Sequence, residues 1–444
     1  MISNLLPSVD ILKNLFSTIQ DEAFKSVHRK KQENFTRQRV LGFSDLIMLQ
    51  IKRIVLSLSV EVEKFLDLIS CPLSYSKQAF SKARQQLRHS AFVALNTDYA
   101  HQYYQYTDFL EQFEHKYVLI AVDGSLIQLP ESEQLAEYFG RWKNQTDKGM
   151  VMGRASLLYD VLNRLVLSAE LSPCTKGERA LFGEQYEQVR SKKILNGLKS
   201  LFLMDRGYPS FELCKGIDLS GDAFVIRCKA DFNKEVKKFI KEDIEEKWVS
   251  FPACSWESDG RAKKSKYDEA LKVRIVRILL PDKTYEYLLT NTDFDIATLS
   301  KLYQLRWGVE THYGFLKEKM QIENFSSKKK EGVLQDFHAT ILTSNLSQLL
   351  IQEAEQELAQ EKIQEQEQEQ EKQKRKPTKY SYRINQNVAL GILRDQIPKL
   401  FAKPENLEEK LAQLRKRIKR HRVAIVPERS FPRIIMLPKI STTK

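Results

Sequence analysis

Cysteine is scarce in this chain. The five present, Cys71, Cys174, Cys214, Cys228 and Cys254, lie far apart and form no C-x-x-C pair. That spacing suggests neither a zinc knuckle nor a disulfide framework and fits a reducing, cytosolic setting. No stretch approaches about 18 uninterrupted apolar residues, so a membrane span is not expected. The first residues, MISNLLPSVDILKNLF, lack a basic n-region and carry an early aspartate, which disfavours secretion. No histidine or cysteine cluster is available to select a zinc-like metal.

At 444 residues the chain is long enough for two or three units around a substantial core. Its net charge is +13, but the excess is local. Residues 372–444 hold 20 Lys and Arg against 5 Asp and Glu, a net of +15, which leaves residues 1–371 at −2. A segment such as RKRIKRHR (415–422) attracts phosphate by counterion release without reading base sequence. A solvated, solubilising tail is the plainer alternative.

Residues 1–111 have apolar positions at helical spacing, as in FSDLIMLQIKRIVLSLSVEVEKFLDLI (43–69), and are expected to form a helical N-terminal domain. Within it, SYSKQAFSKARQQLRHSAF (74–92) sets Lys77, Lys82, Arg84 and Arg88 beside an apolar face of Ala79, Phe80, Ala83 and Leu87. This is a candidate DNA-docking helix, although cationic amphipathic helices are also common on ordinary surfaces. From 116 the period changes. KYVLIAVDGSLIQLP, GRASLLYDVLNRLVLSAEL, SLFLMDRGY and DAFVIRCKA read as strands, with ERALFGEQYEQVRS (178–191) as a helix between them. The order predicts α/β packing on a mixed sheet. Further strands at 266–280 and 283–291 precede a long helix near 296–320, and a β-rich insertion is expected over about 225–293. The Glu/Gln/Lys run within 346–376 reads as a linker, a solvated helix or flexible connector, before a basic C-terminal region at 377–444.

Two aspartates occupy matching contexts. Asp123 follows the apolar run VLIAV and precedes Gly124; Asp205 follows LFLM and precedes Arg206-Gly207-Tyr208. An aspartate ending a strand beside a turn glycine projects from the rim of a sheet, where α/β folds bind ligands. Taken singly, each could be a routine turn or cap residue.

A third feature is sharper. In LSKLYQLRWGVETHYGFLKEKM, Tyr303, Arg306, Glu310 and Lys317 have the spacing Y-x2-R-x3-E-x6-K. At about 100° per residue these offsets fall within a stripe roughly 60° wide on one helix. Leu302, Leu305, Val309, Leu316 and Met320 cluster beside it, which predicts that the polar stripe borders the buried face, at the lip of a cleft. An Arg306–Glu310 surface pair at i,i+4 would account for two of the four residues and leave Tyr303 and Lys317 unexplained.

Asp123 in VDGS, Asp205 in MDRGY and the tyrosine-arginine-glutamate-lysine signature together resemble the DDE transposases of bacterial insertion sequences, in the insertion-sequence-four branch. The likeness runs from about residue 35 to 350. The separations also fit, with offsets of 82 from Asp123 to Asp205 and 105 from Asp205 to Glu310. The resemblance implies a ribonuclease H-like core over 112–345, interrupted by a β-rich insertion. Asp123, Asp205 and Glu310 become the expected catalytic residues and ligands of Mg2+, with Mn2+ able to substitute. Tyr303, Arg306 and Lys317 become phosphate-side residues.

Two divalent ions held about 4 Å apart by hard oxygen ligands suit in-line phosphoryl transfer. The implied reaction is cut-and-paste transposition through a hairpin intermediate. The implied partners are double-stranded DNA, as terminal inverted repeats and as target, and a second copy of the chain on that DNA. A bacterial, nucleoid-associated cytoplasmic protein is expected. One feature departs from the branch, whose hairpin-forming members stack an aromatic of the late insertion on a flipped base. Here Tyr285, Tyr287 and Phe294 stand in that region, while Trp248 and Trp256 come earlier. A nuclease without strand transfer and a non-enzymatic DNA-binding derivative are the rival readings.

Overall fold

The computed structural model describes residues 7–37, 39–52, 57–142, 149–256, 262–280, 282–372, 381–402 and 405–425. The N-terminal part is helical, as its periodicity predicts: α1 (Pro7–Gln20), α2 (Glu22–His28), α3 (Phe43–Ile51), α4 (Leu58–Leu68), α5 (Lys77–Arg84) and α6 (Ser90–Tyr103). Next come β1 (Tyr117–Gln128), α7 (Glu133–Phe139), β2 (Arg141–Trp142), β3 (Met150–Asp160), β4 (Leu165–Pro173), α8 (Glu178–Ser191), β5 (Lys199–Met204), α9 (Phe211–Leu219) and β6 (Ala223–Cys228). The chain continues through α10 (Lys234–Lys241), β7 (Glu246–Phe251), β8 (Cys254–Trp256), β9 (Ala262–Lys264), β10 (Leu271–Leu279) and β11 (Tyr285–Thr290). The C-terminal elements are α11 (Ile296–Leu305), α12 (Trp307–Glu318), α13 (Lys330–Lys372), β12 (Ser381–Ile384), α14 (Gln386–Ala402), α15 (Leu407–Lys419) and β13 (Arg422–Ile425).

The main sheet has nine strands in the order β2-β3-β1-β5-β6-β11-β10-β7, with β4 paired to β3. Strand β1 runs antiparallel to β3 and parallel to β5, and β5 is parallel to β6. An antiparallel hairpin beside parallel strands gives the mixed, ribonuclease H-like core expected. The β-rich segment expected over about 225–293 forms, and most of its strands build onto the same sheet. Strand β11 pairs with the free edge of β6, β10 with β11 and β7 with β10, so these strands extend the main sheet. In this region β8 and β9 make a small hairpin of their own.

Strand alternation sorts the core into two layers. Val118, Ile120 and Val122 of β1, with Phe202 and Met204 of β5, pack into a cluster shared with α8, the N-terminal helices and the later part of α13. Leu119, Ala121, Leu201 and Leu203 face the opposite way, into a cluster with Leu302, Val309, Tyr313 and Leu316 of α11 and α12. The sheet is thus covered on both faces, which explains why its central strands read as continuous apolar runs.

Helix α13 departs most from expectation. The Glu/Gln/Lys run expected as a linker is its C-terminal half, and Ile351, Glu353, Ala354 and Leu358 are buried there. Those positions recur at helical spacing, and α14 and α15 pack on α3 and α13 through Leu393, Ile397, Leu411, Leu414 and Ile418. The described residues of the basic C-terminal region, 381–402 and 405–425, thus form helices and strands. Residues 426–444 lie outside the described part. Strand β4 ends the sheet beside β3. Its outward Val166 N–H and C=O are met by the Asn345 carboxamide oxygen at 2.9 Å and by the Asn345 and Asn96 amides at 2.9 and 3.2 Å. These bonds close the edge with side chains from α13 and α6. Cys71, Cys174, Cys214 and Cys228 are free thiols. Among the described residues no helix is long and apolar enough to cross a membrane.

Candidate active site

Parallel pairing of β1 with β5 puts Val122 opposite Met204, so Asp123 and Asp205 come one residue beyond the last matched pair, on adjacent strands. Adjacent strands lie about 4.8 Å apart. By alternation both aspartates face the side of the sheet covered by α11 and α12. Asp205 follows the end of β5, as expected. Asp123 does not end its strand. Strand β1 runs on to Gln128, with Asp123 opposite Leu157 and Gly124 opposite Ser156. Gly124 is not among the residues at positive φ, so the expected sharp turn is absent and its glycine has another cause. Each carboxylate accepts from the next backbone N–H, Gly124 to Asp123 at 2.8 Å and Arg206 to Asp205 at 2.6 Å.

The expected single helix over 296–320 is two helices. The chain breaks at Arg306, which is both the C-cap of α11 and the residue preceding α12. The four signature residues therefore do not form one continuous stripe, and Leu305, expected on the buried face, is exposed. They still converge on the sheet. The Tyr303 hydroxyl reaches Asp205 Oδ1 at 3.4 Å. Arg306 Nη2 donates to Glu310 Oε1 at 2.8 Å, the ion pair that the i,i+4 spacing also allows. Lys317 Nζ donates to Ser125 Oγ at 3.0 Å and to the Leu126 carbonyl at 2.9 Å, both on β1. Tyr313, not singled out in the sequence, donates to the carbonyl of Asp123 at 3.1 Å. Helix α12 is thus tied to β1 from its middle and from its last turn, with Glu310 in its first turn.

Burial pushes the Asp123 carboxyl up to about 6. The Gly124 N–H and Arg306 oppose that rise, while the like charges of Glu310 and Glu178 add to it. Burial likewise raises the Tyr303 phenol, which stays protonated as a donor. The guanidinium of Arg306 lies 5.6 Å from the Tyr303 ring centre, and its Nε–H is buried with no partner among the described residues.

Donor chemistry at this face suits a hard divalent cation, because every candidate ligand is a carboxylate oxygen. With Glu310 drawn to Arg306, no group of three or more His, Cys, Asp or Glu among the described residues stands close enough to hold a metal. The fit lies in the Asp123–Asp205 pair, with Glu310 one ion pair away.

Residues 114–346 match the family described as "Transposase DDE domain". The chain belongs to this DDE transposase family. No curated protein matches it. Among solved structures it is similar to "Cryo-EM structure of piggyBac transposase synaptic complex with hairpin DNA (SNHP)", at 13% identity and a TM-score of 0.46, over 94% of this chain and 86% of that one.

The family match spans all three carboxylates and the signature, but not the candidate docking helix. There α5 is short, and only Lys77, Lys82 and Arg88 are exposed. Arg84 turns inward and leaves the phosphate-binding set. It is 2% exposed and its guanidinium binds Gln335, Ser326, Gln50, the Gly332 carbonyl and Asp336. An amphipathic helix must bury one face, and here the arginine is on that face. Of the aromatics, Tyr285 and Trp248 are exposed, each beside a cation, Arg277 and Lys272. Tyr287 packs on Phe239, and Phe294 on Phe113 and Tyr117, as core residues do. The Trp256 side chain lies outside the described residues. Trp307, exposed beside Arg306, was not anticipated.

Proposed function

We propose that this chain is a metal-dependent DNA transposase of the insertion-sequence-four type, with Asp123, Asp205 and Glu310 as its catalytic carboxylates. The observation that carries the reading is the register of β1 and β5, which sets Asp123 beside Asp205 under the helix that bears Glu310. When bound, Mg2+ or Mn2+ would supply activation of the attacking oxygen and stabilisation of the leaving one. Asp123 and Asp205 would hold the ion, and Glu310 would complete the set on leaving Arg306.

The chain's own groups account for the rest. Tyr303 donates toward Asp205 and keeps its proton. Arg306 offers a planar fork, the geometry suited to phosphate oxygens. Lys317 adds a point charge at the β1 end of α12. Lys77, Lys82 and Arg88 are exposed cations suited to duplex phosphate. The reaction in this reading is cut-and-paste: strand cleavage at element ends, a hairpin intermediate, and joining of the freed 3′-hydroxyls to target DNA by a dimer that pairs the two ends.

The test is a cleavage and joining assay on DNA carrying the inverted repeats that flank the gene, with Mg2+. The wild type cuts and joins, and Asp123→Asn and Asp205→Asn do neither. Cutting without joining would assign a nuclease, and full activity of either mutant would remove these carboxylates from the site.

A further inference from the structure

Two glycines follow closely on the two aspartates, and neither has the positive φ that demands glycine. Both face one side chain. A Cβ on Gly124 would lie 2.8 Å from Cγ and Oε1 of Glu178, closer than real contacts allow, and a Cβ on Gly207 would meet Oε2 of the same residue at 3.7 Å. Glu178 opens α8, which packs on the face of the sheet opposite α12. Its carboxylate therefore sits behind the aspartates, between the strand carrying Asp123 and the turn carrying Asp205.

The carboxylate is held there. Arg154 Nη1 donates to Glu178 Oε1 at 2.5 Å, and the same guanidinium donates twice to the Cys174 carbonyl, at 3.3 and 3.2 Å. Arg154 is on β3, the neighbour of β1. The Tyr208 hydroxyl, at the end of the Asp205 turn, is 1% exposed and has no partner among the described residues. Burial raises the Tyr208 phenol, and the charge of Glu178 adds more to that rise than Asp123 or Asp205.

We propose that Glu178, anchored by Arg154, is a positioning residue that sets the spacing of Asp123 and Asp205 by filling the gap between Gly124 and Gly207. This inference rests on the reading of the two aspartates as metal ligands. Partners that orient ligands change metal affinity by about 10–100-fold when lost.

Manganese binding to the full-length chain without DNA, measured by titration calorimetry, tests it, with near-ultraviolet circular dichroism confirming the fold of each variant. Glu178→Ala is expected to bind manganese about 10–100-fold more weakly. Glu178→Gln, which keeps the volume and can still accept from Arg154, is expected to stay within about threefold of wild type. Gly124→Ala is expected to weaken binding when Glu178 is present and to have little further effect beside Glu178→Ser.

Wild-type affinity in Glu178→Ala would overturn the proposal. So would equal losses in Glu178→Gln and Glu178→Ala, since the charge and not the filling would then matter, and so would a Gly124→Ala loss that persists beside Glu178→Ser. Asp123→Asn is the reference: if it binds manganese like the wild type, or if the wild type binds none, the metal-ligand reading itself falls and this inference with it.

Discussion

Lys317 donates to the Ser125 hydroxyl at 3.0 Å, which joins the helix carrying Glu310 to the strand carrying Asp123. The same ammonium also binds the Leu126 carbonyl. Lys317→Ala removes both contacts and a cation from the site. A displacement of about 1 Å at the reacting groups can cost about 100-fold in rate. Single-turnover cleavage by Lys317→Ala should fall by at least that factor, and added magnesium should not restore it. Recovery at high metal would mean that Lys317 acts through metal occupancy.

Arg415 makes a second, wholly structural pairing. It binds Glu353, which is fully buried, and Glu357, while Lys419 binds Glu357 and Glu361. Glu353 also accepts from the Ser8 N–H and hydroxyl, so α1, α13 and α15 meet at one carboxylate. Removing one partner of a buried pair typically costs about 3–5 kcal/mol. Arg415→Ala should lower the urea midpoint accordingly, whereas Lys416→Ala, on the exposed face, should leave it unchanged.

His338 is buried and stacks on His89. Burial, aided by the charge of His89, lowers its pKa to about 3, against 6.5 for an ordinary imidazole. Between these values the unfolded chain binds a proton that the folded chain refuses. Stability should therefore fall as pH drops below 6.5, by up to about 1.4 kcal/mol per pH unit from this residue. His338→Gln should reduce the loss of stability between pH 7 and pH 5 in urea titrations. An unchanged pH dependence would show that this histidine is not its source.

Lys416, Arg417 and Arg420 at the end of α15 and Arg422 at the start of β13 are exposed cations. Replacing the four by Gln should weaken DNA binding and reduce the slope of log affinity against log salt by roughly 0.9 for each that meets a phosphate. A slope equal to that of the wild type would assign these residues to solubility.

Much of this architecture was legible because apolar periodicity survives into the fold. The run VLIAV became the first half of β1, and 178–191 became α8 residue for residue. The two aspartates and the signature residues stand out in the sequence because their contexts are short and local.

What was not legible depends on long-range pairing. Nothing local says that β11 will join β6, so the place of the later strands in the main sheet was not legible. The Glu-rich run read as a linker because the partners of Glu353, Glu357 and Glu361 lie some 60 residues on, in α15. Arg84 looked like a surface cation because its acceptors are near residue 335. Gly124 read as a turn residue. Its real constraint, the carboxylate of Glu178, comes from a helix 54 residues away that packs on the other face of the sheet.

The central claim is that Glu310 completes a catalytic set with Asp123 and Asp205, and Glu310→Gln tests it most directly, because it removes a ligand charge while keeping the side chain's shape. Single-turnover cleavage of element-end DNA in magnesium should be abolished in this variant, while gel-shift affinity for the same DNA stays near that of the wild type. Substantial cleavage by Glu310→Gln would contradict the account and move the third carboxylate elsewhere.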